Sequence, residues 1–265
     1  PNMKKLAAIA KKYKLYLIED SCDTYGASYD GKPTGSYSDV STTSFFGSHI
    51  ITAGGNGGMI LVNNKAWADK IKMLRGWGRS SALFKESEDI DLRFKVKIEN
   101  MQYDAKFVFG DIGYNFLPSE IGAAFGNAQL AKLPTFRKTR EHNYKVLHKF
   151  FSQYEKYFIL PVQDPKVETQ WLAFPLTLRE NAPFSRLDIA TFLEKNNIQT
   201  RVIFTGNILR QPGFKNIVHK GLRSGYPQAD AVMKRGLLIG CHHGMEKEHL
   251  DKLMDTVSAF LDNYK

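Results

Sequence analysis

The spacing of apolar and polar positions predicts alternating helices and strands in the first part of the chain. Apolar residues recur at helical spacing from about Met3 to Tyr13. The segment LYLIED (15–20) is a short apolar run that ends in carboxylates, which is typical of a buried parallel strand. Strand-like runs follow at 41–46 and 57–64, with a helix at about 66–74. This alternation predicts an α/β layer sandwich.

Residues 80–110 are charged and lack a clear period, which predicts an insertion or an excursion over the mouth of an active site. The segment 118–133 opens with Pro, Ser and Glu and predicts a well-marked helix start. A second helix is predicted after Pro134, ending at about Tyr157. The chain then predicts a strand, a helix, a strand and a last helix, at 171–178, 185–197, 199–206 and about 247–261. We therefore expect a large domain at 1–157 and a compact α+β domain at 158–265.

The composition narrows the class of protein. With 265 residues and 43% apolar content the chain can bury a core, and it has no apolar run near the roughly 20 residues that span a bilayer. The first residues predict an amphipathic helix and no signal peptide, so we expect a cytoplasmic protein. Cys22 and Cys241 form no CxxC pair, which disfavours a disulfide framework or a zinc site. The chain starts without Met or an opening strand, and we expect a fragment or an incomplete gene product.

The net charge of +10 raises the question of nucleic acid. The basic residues are scattered among acidic ones and form no stripe, which favours a polyanionic small molecule such as a phosphate cofactor or a nucleotide diphosphate. We expect neither a nucleic-acid nor a membrane partner.

Two segments hold candidate chemistry. Asp20 ends the first predicted strand, where open α/β sheets place ligands, although a lone Asp there is also a common cap. The run STTSFFGSHIITAGGNGG (41–58) brings a Ser, a His and four glycines in five positions after a strand. Such glycines allow positive φ or a close approach to a ligand, and a flexible hairpin is the simpler interpretation.

Taken together, these segments resemble a known family in order and spacing. The run IEDSCDTYGASYDGKPTGSYSD (18–39), the segment 44–58 and GYNFLPSEIGAAFGNAQLAKLP (113–134) resemble the DegT-like sugar aminotransferase/dehydratase family of pyridoxal-phosphate (PLP) enzymes. The runs at 200–214 and 237–245 resemble its 3-dehydratase branch. The resemblance implies the PLP-dependent transferase fold of type I, a three-layer α/β sandwich that is N-terminally incomplete here, with a smaller C-terminal α+β domain.

The resemblance also implies roles for four cofactor-binding residues. Asp20 would bind the pyridine nitrogen, keeping the ring protonated so that it accepts electrons. Ser44 would bind the cofactor phosphate, and Asn115 would reach the same phosphate from a neighbouring subunit, which implies a homodimer. Asp23 stands where many aminotransferases of the family have His, whereas the dehydratases resemble this sequence in carrying Asp. Its role is the least defined of the four.

His49 stands where relatives carry the lysine that forms an imine with the cofactor aldehyde. An imidazole cannot form that imine, so the cofactor is expected to be held non-covalently, most usefully as pyridoxamine phosphate (PMP), with His49 as acid and base. GDP-4-keto-6-deoxy-D-mannose 3-dehydratases and CDP-4-keto-6-deoxyglucose 3-dehydrases share this exchange. The resemblance therefore implies 3-dehydration of a nucleotide-linked 4-keto-6-deoxy sugar in deoxysugar and lipopolysaccharide O-antigen biosynthesis, with L-glutamate as amino donor.

An iron-sulfur cluster separates the two dehydratase types. The CDP-sugar type has four cysteines that bind a [2Fe-2S] cluster, and Cys22 aligns with the first of them. The region expected to supply the others, 75–89, contains no Cys. We expect no cluster, as in the GDP-sugar type.

In the second predicted domain, Arg201, Asn207 and Gln211 are candidate contacts for the sugar or its diphosphate, or ordinary surface residues. Trp171 and Phe174 are expected in the core. His242 and His243 suggest a metal, but adjacent residues of an extended chain point to opposite faces and no carboxylate cluster completes a site, so we predict none.

Two alternatives stay open. The first is a nucleotide-sugar aminotransferase in which another group performs the role of the lysine. The second is an inactive structural subunit, because relatives supply phosphate-binding backbone amides and a residue that stacks on the cofactor ring from an N-terminal segment missing here.

Overall fold

A computed structural model describes residues 1–85 and 88–264, which form two compact units. The first unit comprises Pro1–Tyr25 and Lys32–Ala131, and the second comprises Gly26–Gly31 and Lys132–Lys265. The units divide between Ala131 and Lys132, whereas the sequence predicted a boundary near 157. The second half of a long helix belongs to the second unit because Leu147 and Phe151 lie in that unit's core.

Helices and strands alternate along the chain. The described helices are α1 (Met3–Lys12), α2 (Lys65–Arg75), α3 (Ile90–Arg93), α4 (Glu120–Phe151), α5 (Arg186–Lys195), α6 (Pro227–Arg235) and α7 (Lys247–Asp262). The described strands are β1 (Ile18–Asp20), β2 (Ser28–Tyr29), β3 (Lys32–Pro33), β4 (Val40–Ser44), β5 (Gly58–Val62), β6 (Val96–Ile98), β7 (Met101–Tyr103), β8 (Phe158–Ile159), β9 (Val167–Glu168), β10 (Ala173–Leu178), β11 (Thr200–Arg201) and β12 (Gly236–Gly240).

The first unit contains a sheet of three strands in the order β1-β4-β5. β1 pairs with β4 in parallel, and Asp20 lies opposite Thr42. β4 pairs with β5 antiparallel, and Ser44 lies opposite Gly58. The predicted parallel pairing of β1 is therefore confirmed. Its predicted burial is wrong, because β1 is an edge strand and Ile18 is 67% exposed.

The helices that flank this sheet begin at the residues their sequences indicate. Asn2 accepts a hydrogen bond from the Lys5 amide at the start of α1, and Asn64 accepts one from the Trp67 amide at the start of α2. Asparagine side chains at this position satisfy amides that a first helical turn leaves without partners. The Trp67 ring meets Tyr16 edge-on at 5.0 Å.

The described residues of the segment predicted as an excursion form short elements. α3 and the β6-β7 hairpin lie within it, and the Arg93 guanidinium forms two hydrogen bonds of 2.9 Å from Nε to the carboxylate of Asp104. The charged residues that obscured the sequence period thus hold this segment together. Its expected position over an active-site mouth remains a prediction.

The two helices predicted around Pro134 are one helix in the structure, and that prediction was wrong. α4 runs from Glu120 to Phe151 with Pro134 inside it and ends before Tyr157. A proline removes one backbone hydrogen bond and crowds the preceding turn. Here the loss is tolerated, because the helical residues beyond Pro134 are anchored by burial in the second unit.

The second unit is built on an antiparallel sheet in the order β11-β12-β10-β8. Alternate residues of β10 are buried, and Phe174 and Leu176 lie opposite Ile239 and Leu237 of β12. The predicted core position of Phe174 is confirmed, while Trp171 packs at the core's margin and stacks on Tyr144 at 4.7 Å. The unit is α+β, as predicted.

Two predictions in this unit need correction. The strand predicted at 199–206 contains only Thr200–Arg201 in the structure, because the chain turns at Phe204 and Gly206, which both have positive φ. Helix α6 was not predicted, although Pro227 at its start is a usual first-turn residue.

The second unit contains a buried arginine. Arg140 is 2% exposed and donates from Nη1 to the carbonyls of Trp171 and Leu172 at 3.2 and 3.1 Å. Burial lowers the pKa of Arg140 to about 10. The ring of His243 stacks on Phe136 at 3.6 Å, and burial, with the charge of Arg140, lowers the pKa of His243 to about 4. Among the described residues, no group of His, Cys, Asp or Glu could hold a metal ion.

The neutral His243 makes stability depend on pH. In the folded chain the His243 imidazole stays unprotonated down to about pH 4. In the unfolded chain it takes up a proton below about pH 6.5. The contribution of the neutral His243 to the free energy of unfolding should therefore be complete above pH 6.5 and decrease as the pH drops toward 4. We expect His243→Phe to reduce this decline in denaturant unfolding at pH 7, 5.5 and 4.5. The control His142→Phe, at an exposed position, should keep the decline, and an unchanged decline in His243→Phe would contradict the prediction.

Candidate active site

Asp20 stands at the carboxyl end of β1 with one oxygen already bonded. Its Oδ1 accepts hydrogen bonds from the Cys22 amide at 3.1 Å and from Thr42 Oγ1 at 3.5 Å. The pKa of Asp20 is lowered, chiefly by hydrogen bonds from the Cys22 thiol and amide and then by Thr42 and the charge of His49. The carboxylate is therefore ionised at neutral pH. Neither the Cys22 amide nor the Thr42 hydroxyl occupies the second oxygen, Oδ2.

His49 lies beside a second carboxylate. Its Nε2 is 3.1 Å from Asp23 Oδ1, and the two side chains are 20% and 29% exposed. The other ring nitrogen, Nδ1, is buried and has no hydrogen-bond partner in the described chain. The ring meets Phe46 edge-on at 5.5 Å. The imidazole therefore contacts Asp23 through Nε2 and makes no hydrogen bond to the described chain through Nδ1.

The loop that carries His49 is fixed by apolar burial and by backbone bonds. Ile50 and Ile51 are buried next to the histidine. The Phe45 amide donates to the Gly57 carbonyl at 2.9 Å, and the Ala53 amide donates to the Phe45 carbonyl at 3.0 Å. The loop is therefore an ordered turn and not the flexible hairpin of the simpler interpretation.

Glycine is required where this turn reverses. Gly54, Gly55 and Gly57 have φ of 72°, 103° and 136°. Other residues rarely adopt these values because the Cβ atom meets the backbone. The prediction that these glycines supply positive φ is confirmed.

Ser44 and Asn115 also belong to the first unit. Ser44 ends β4, and its Oγ accepts a hydrogen bond from the Phe46 amide at 3.2 Å, which leaves its hydroxyl hydrogen available. Asn115 is exposed and its backbone bridges to Gly76. The structure brings Asp20, Asp23 and His49 together, with Ser44 on the adjacent strand. The expected contribution of Asn115 to a neighbouring subunit remains a prediction.

The three candidate substrate contacts lie in the second unit and form internal bonds. Arg201 Nη1 donates to the Thr200 carbonyl at 2.8 Å, and Gln211 Nε2 donates to the Thr205 carbonyl at 3.1 Å. Asn207 is buried and donates to Asp230 Oδ1 at 2.7 Å. Arg210 and then Asn207 lower the pKa of Asp230 to about 2. These bonds give the residues structural roles, and sugar contacts remain a prediction.

Two residues of the site were missed from the sequence. Thr42 reaches Asp20 only because the parallel register places it opposite. Glu19 accepts from the Gly35 amide at 2.8 Å and bonds to the Ser21 hydroxyl at 3.1 Å, which fixes the chain on both sides of Asp20. The signal for Glu19 was its place before Asp20 in the IED run.

The fold and the site together define a class of protein. An α/β unit presents an ionised carboxylate and a paired imidazole at the ends of adjacent strands, and an α+β unit follows it. This is the fold of the PLP-dependent aminotransferase-like proteins, as the sequence predicted. The chain belongs to the DegT/DnrJ/EryC1/StrS aminotransferase family, whose profile matches residues 1–258.

Similar proteins include dehydratases. The chain is 31% identical over 262 residues to the lipopolysaccharide biosynthesis protein RfbH of Salmonella typhimurium, covering 98% of this chain and 60% of that protein. It is 32% identical over 260 residues to dTDP-4-dehydro-2,6-dideoxy-D-glucose 3-dehydratase of Saccharopolyspora spinosa, covering 97% and 56%. The chain thus spans less than two thirds of the length of these relatives.

A solved structure agrees with this similarity. The E. coli GDP-4-keto-6-deoxy-D-mannose-3-dehydratase with bound hydrated PLP superposes with a TM-score of 0.82 at 26% identity, covering 97% of this chain and 64% of that one. Among the helices described here, none is both long and apolar enough to cross a membrane.

Two glycines of α4 make a matched test of the turn that carries His49. A Cβ at Gly122 would lie 2.9 Å from the Ala53 carbonyl oxygen, so Gly122→Ala should displace the turn and lower the melting temperature. A Cβ at Gly126 would lie 3.6 Å from the Ala53 Cβ, an ordinary contact, so Gly126→Ala should stabilise the helix by about 1 kcal/mol. Thermal unfolding of both variants checks this, and equal effects would contradict it.

Proposed function

We propose that this chain acts as a PLP/PMP-dependent 3-dehydratase of a nucleotide-linked 4-keto-6-deoxy sugar. The observation that carries the proposal is the contact of His49 with Asp23 beside the ionised Asp20. A lysine at position 49 would favour transamination, whereas an imidazole held by a carboxylate is a proton-transfer device. The 3-dehydratase names of two similar proteins support this choice.

The residues present fit the vitamin B6 cofactor. The Asp20 carboxylate can accept a hydrogen bond from a protonated ring nitrogen, and its lowered pKa keeps it charged for that purpose. The Ser44 hydroxyl, at the end of β4, can donate to a phosphate oxygen. When bound, PMP supplies an amine that condenses with the sugar ketone and a ring that withdraws electrons from the carbon beside it. Position 49 offers no amine for a covalent bond.

The proton chemistry then falls to His49. Asp23 accepts the Nε2 hydrogen and so sets the tautomer, which leaves the lone pair at Nδ1. We propose that the His49 imidazole, which is 20% exposed, removes the proton from the carbon next to the cofactor amine and delivers it to the departing hydroxyl at sugar C3. Asp23 is therefore a positioning residue in this proposal, in addition to the cofactor contact implied by the resemblance.

A homodimer and an amino donor complete the proposal. Asn115 is flanked by strongly exposed apolar side chains, Ile112, Phe116 and Ile121, and Ile112 is 93% exposed. Such residues support a subunit contact near Asn115. L-glutamate would regenerate PMP after each turnover, and no iron-sulfur cluster is required. The name of the Salmonella relative supports a place in lipopolysaccharide biosynthesis. A cytoplasmic location remains a prediction from the sequence.

The second candidate is a nucleotide-sugar aminotransferase. The description of the family favours it, since the family is named for that activity. His49 argues against it. The usual transamination cycle begins and ends with an imine between the cofactor and a lysine, and His49 cannot form that imine.

Borohydride trapping separates the two candidates. Wild-type protein mixed with PLP should gain no covalent pyridoxyl label after borohydride reduction, because His49 cannot form an imine. Added glutamate should shift the absorbance from near 420 nm toward 330 nm as PMP forms. His49→Lys should become labelled and should lose dehydration of GDP-, CDP- and TDP-linked 4-keto-6-deoxy sugars, assayed by product mass.

Label on the wild-type protein would overturn the role given to His49. The labelled residue, identified by peptide mass mapping, would then show which lysine replaces it. Ser48→Ala, next to His49, serves as the control. Like the wild-type protein, it should gain no pyridoxyl label after borohydride reduction.

The Asp23 contact makes its own prediction. Asp23→Asn should lower the dehydration rate by about 10²-fold, because general acid-base catalysis contributes about 10² to 10⁴ and depends on the held tautomer. The affinity for PMP, measured by absorbance titration, should change little. The control Asp255→Asn, at an exposed position of α7, should leave both quantities unchanged. A large loss of PMP affinity with an unchanged rate would contradict the positioning role and assign Asp23 to the cofactor alone.

A further inference from the structure

Arg79 lies among three aromatic rings. Its guanidinium carbon is 4.7 Å from the centre of the Trp77 ring, 5.4 Å from that of Phe107 and 5.6 Å from that of Phe109. No described carboxylate forms an ion pair with it, and its side chain donates no hydrogen bond to the described chain. Its Nε is buried without a partner. The three rings and the arginine are called the aromatic cage below.

Three other cations of the first unit form ion pairs with acids. Arg93 is bonded to Asp104, Lys106 pairs with Glu88, and Lys70 pairs with Asp111. Arg79 differs from these three, because ring faces are the only partners of its charge among the described residues. Aromatic rings attract the guanidinium through its flat faces. They offer no acceptors to the N–H groups at the edge of the guanidinium.

The backbone holds the cage in a conformation that few residues adopt. Trp77 has φ of 61° and Gly78 has φ of 82°, and Arg79 bridges to Phe109 across the loop. A Cβ at Gly78 would lie 1.9 Å from the Asp111 carbonyl oxygen, so only glycine fits there. Strained conformations of this kind persist where the surrounding structure fixes a side chain for use.

We infer that Arg79 is an oxyanion-binding residue whose guanidinium edge receives a carboxylate or a phosphate group of a substrate. A guanidinium is planar and presents its N–H groups at its edge like a fork. When rings cover its faces, that edge is preorganised to donate two parallel N–H···O bonds. Resting on the proposed function, the anion is either the carboxylate of the amino donor or the diphosphate of the nucleotide sugar. The chemistry is common to both, and the test below distinguishes them.

Trp77 provides a direct optical readout that requires neither cofactor nor turnover. The full chain is titrated with sodium pyrophosphate in one series and with glutarate in another, and tryptophan fluorescence is recorded. We expect a saturable change that is lost in Trp77→Phe. Arg79→Gln should weaken binding by about tenfold or more, and Arg79→Lys should bind less tightly than wild type because the fork is lost. The anion with the lower dissociation constant identifies the source.

Arg75→Gln is the matched control, because it removes the same charge at an exposed position four residues away and should leave both titrations unchanged. Far-UV circular dichroism confirms folding, and if Arg79→Gln fails to fold, Arg79→Lys carries the test. Equal affinities of Arg79→Lys, Arg79→Gln and wild type would overturn the inference. So would a change in oligomeric state of Arg79→Gln without a change in anion binding, which would assign the cage to a subunit contact.

Failure of the dehydratase proposal would be recognised separately. It would appear as an absence of absorbance change with PLP and glutamate in the wild-type protein, while the fluorescence titrations of the aromatic cage need no cofactor. Loss of anion binding with normal PMP formation would sink only the inference about Arg79.

Discussion

The parallel pairing of β1 with β4 positions the candidate active site. It sets Asp20 opposite Thr42, and two residues later β4 ends at Ser44. The chain then enters the glycine turn, whose antiparallel return along β5 is registered at Ser44 and Gly58. Both strands end at the same edge of the sheet. The pairing of β1 with β4 therefore places the Asp20 carboxylate, the Ser44 hydroxyl and the loop with His49 at that edge. A slip of one residue would turn Asp20 to the other face of the sheet.

Much of this arrangement could be predicted from the sequence, because local chemistry dictated it. The carboxylates that end β1 and the glycines after His49 are residues whose conformational needs are visible without coordinates. The contact between His49 and Asp23 could not be predicted, since it depends on how the loop folds back over β1. The same limit applies to Thr42, which becomes a partner of Asp20 through register alone.

The errors have a common origin in tertiary context. Pro134 is an ordinary helix breaker, yet α4 continues through it because burial of Leu147 and Phe151 outweighs one lost backbone bond. The apolar residues of β1 read as buried, yet Ile18 faces solvent because β1 has a partner on one side only. β11 is shorter than its apolar sequence indicated, and the chain turns soon after it at Phe204 and Gly206, which have positive φ. In each case a neighbouring element decided the outcome, and periodicity contains no information about neighbours.

Positions 23 and 49 make most sense as a pair. A lysine at 49 would place an ammonium beside the Asp23 carboxylate, and an ion pair would tie up the amine that the family resemblance requires for an imine. An imidazole at 49 gains from the same carboxylate, because Asp23 holds Nε2 and leaves Nδ1 uncommitted. The resemblance places His at position 23 in many aminotransferases, where no carboxylate would compete for a lysine. The acid at 23 therefore suits the imidazole at 49, and the two residues together favour proton transfer over covalent attachment of the cofactor.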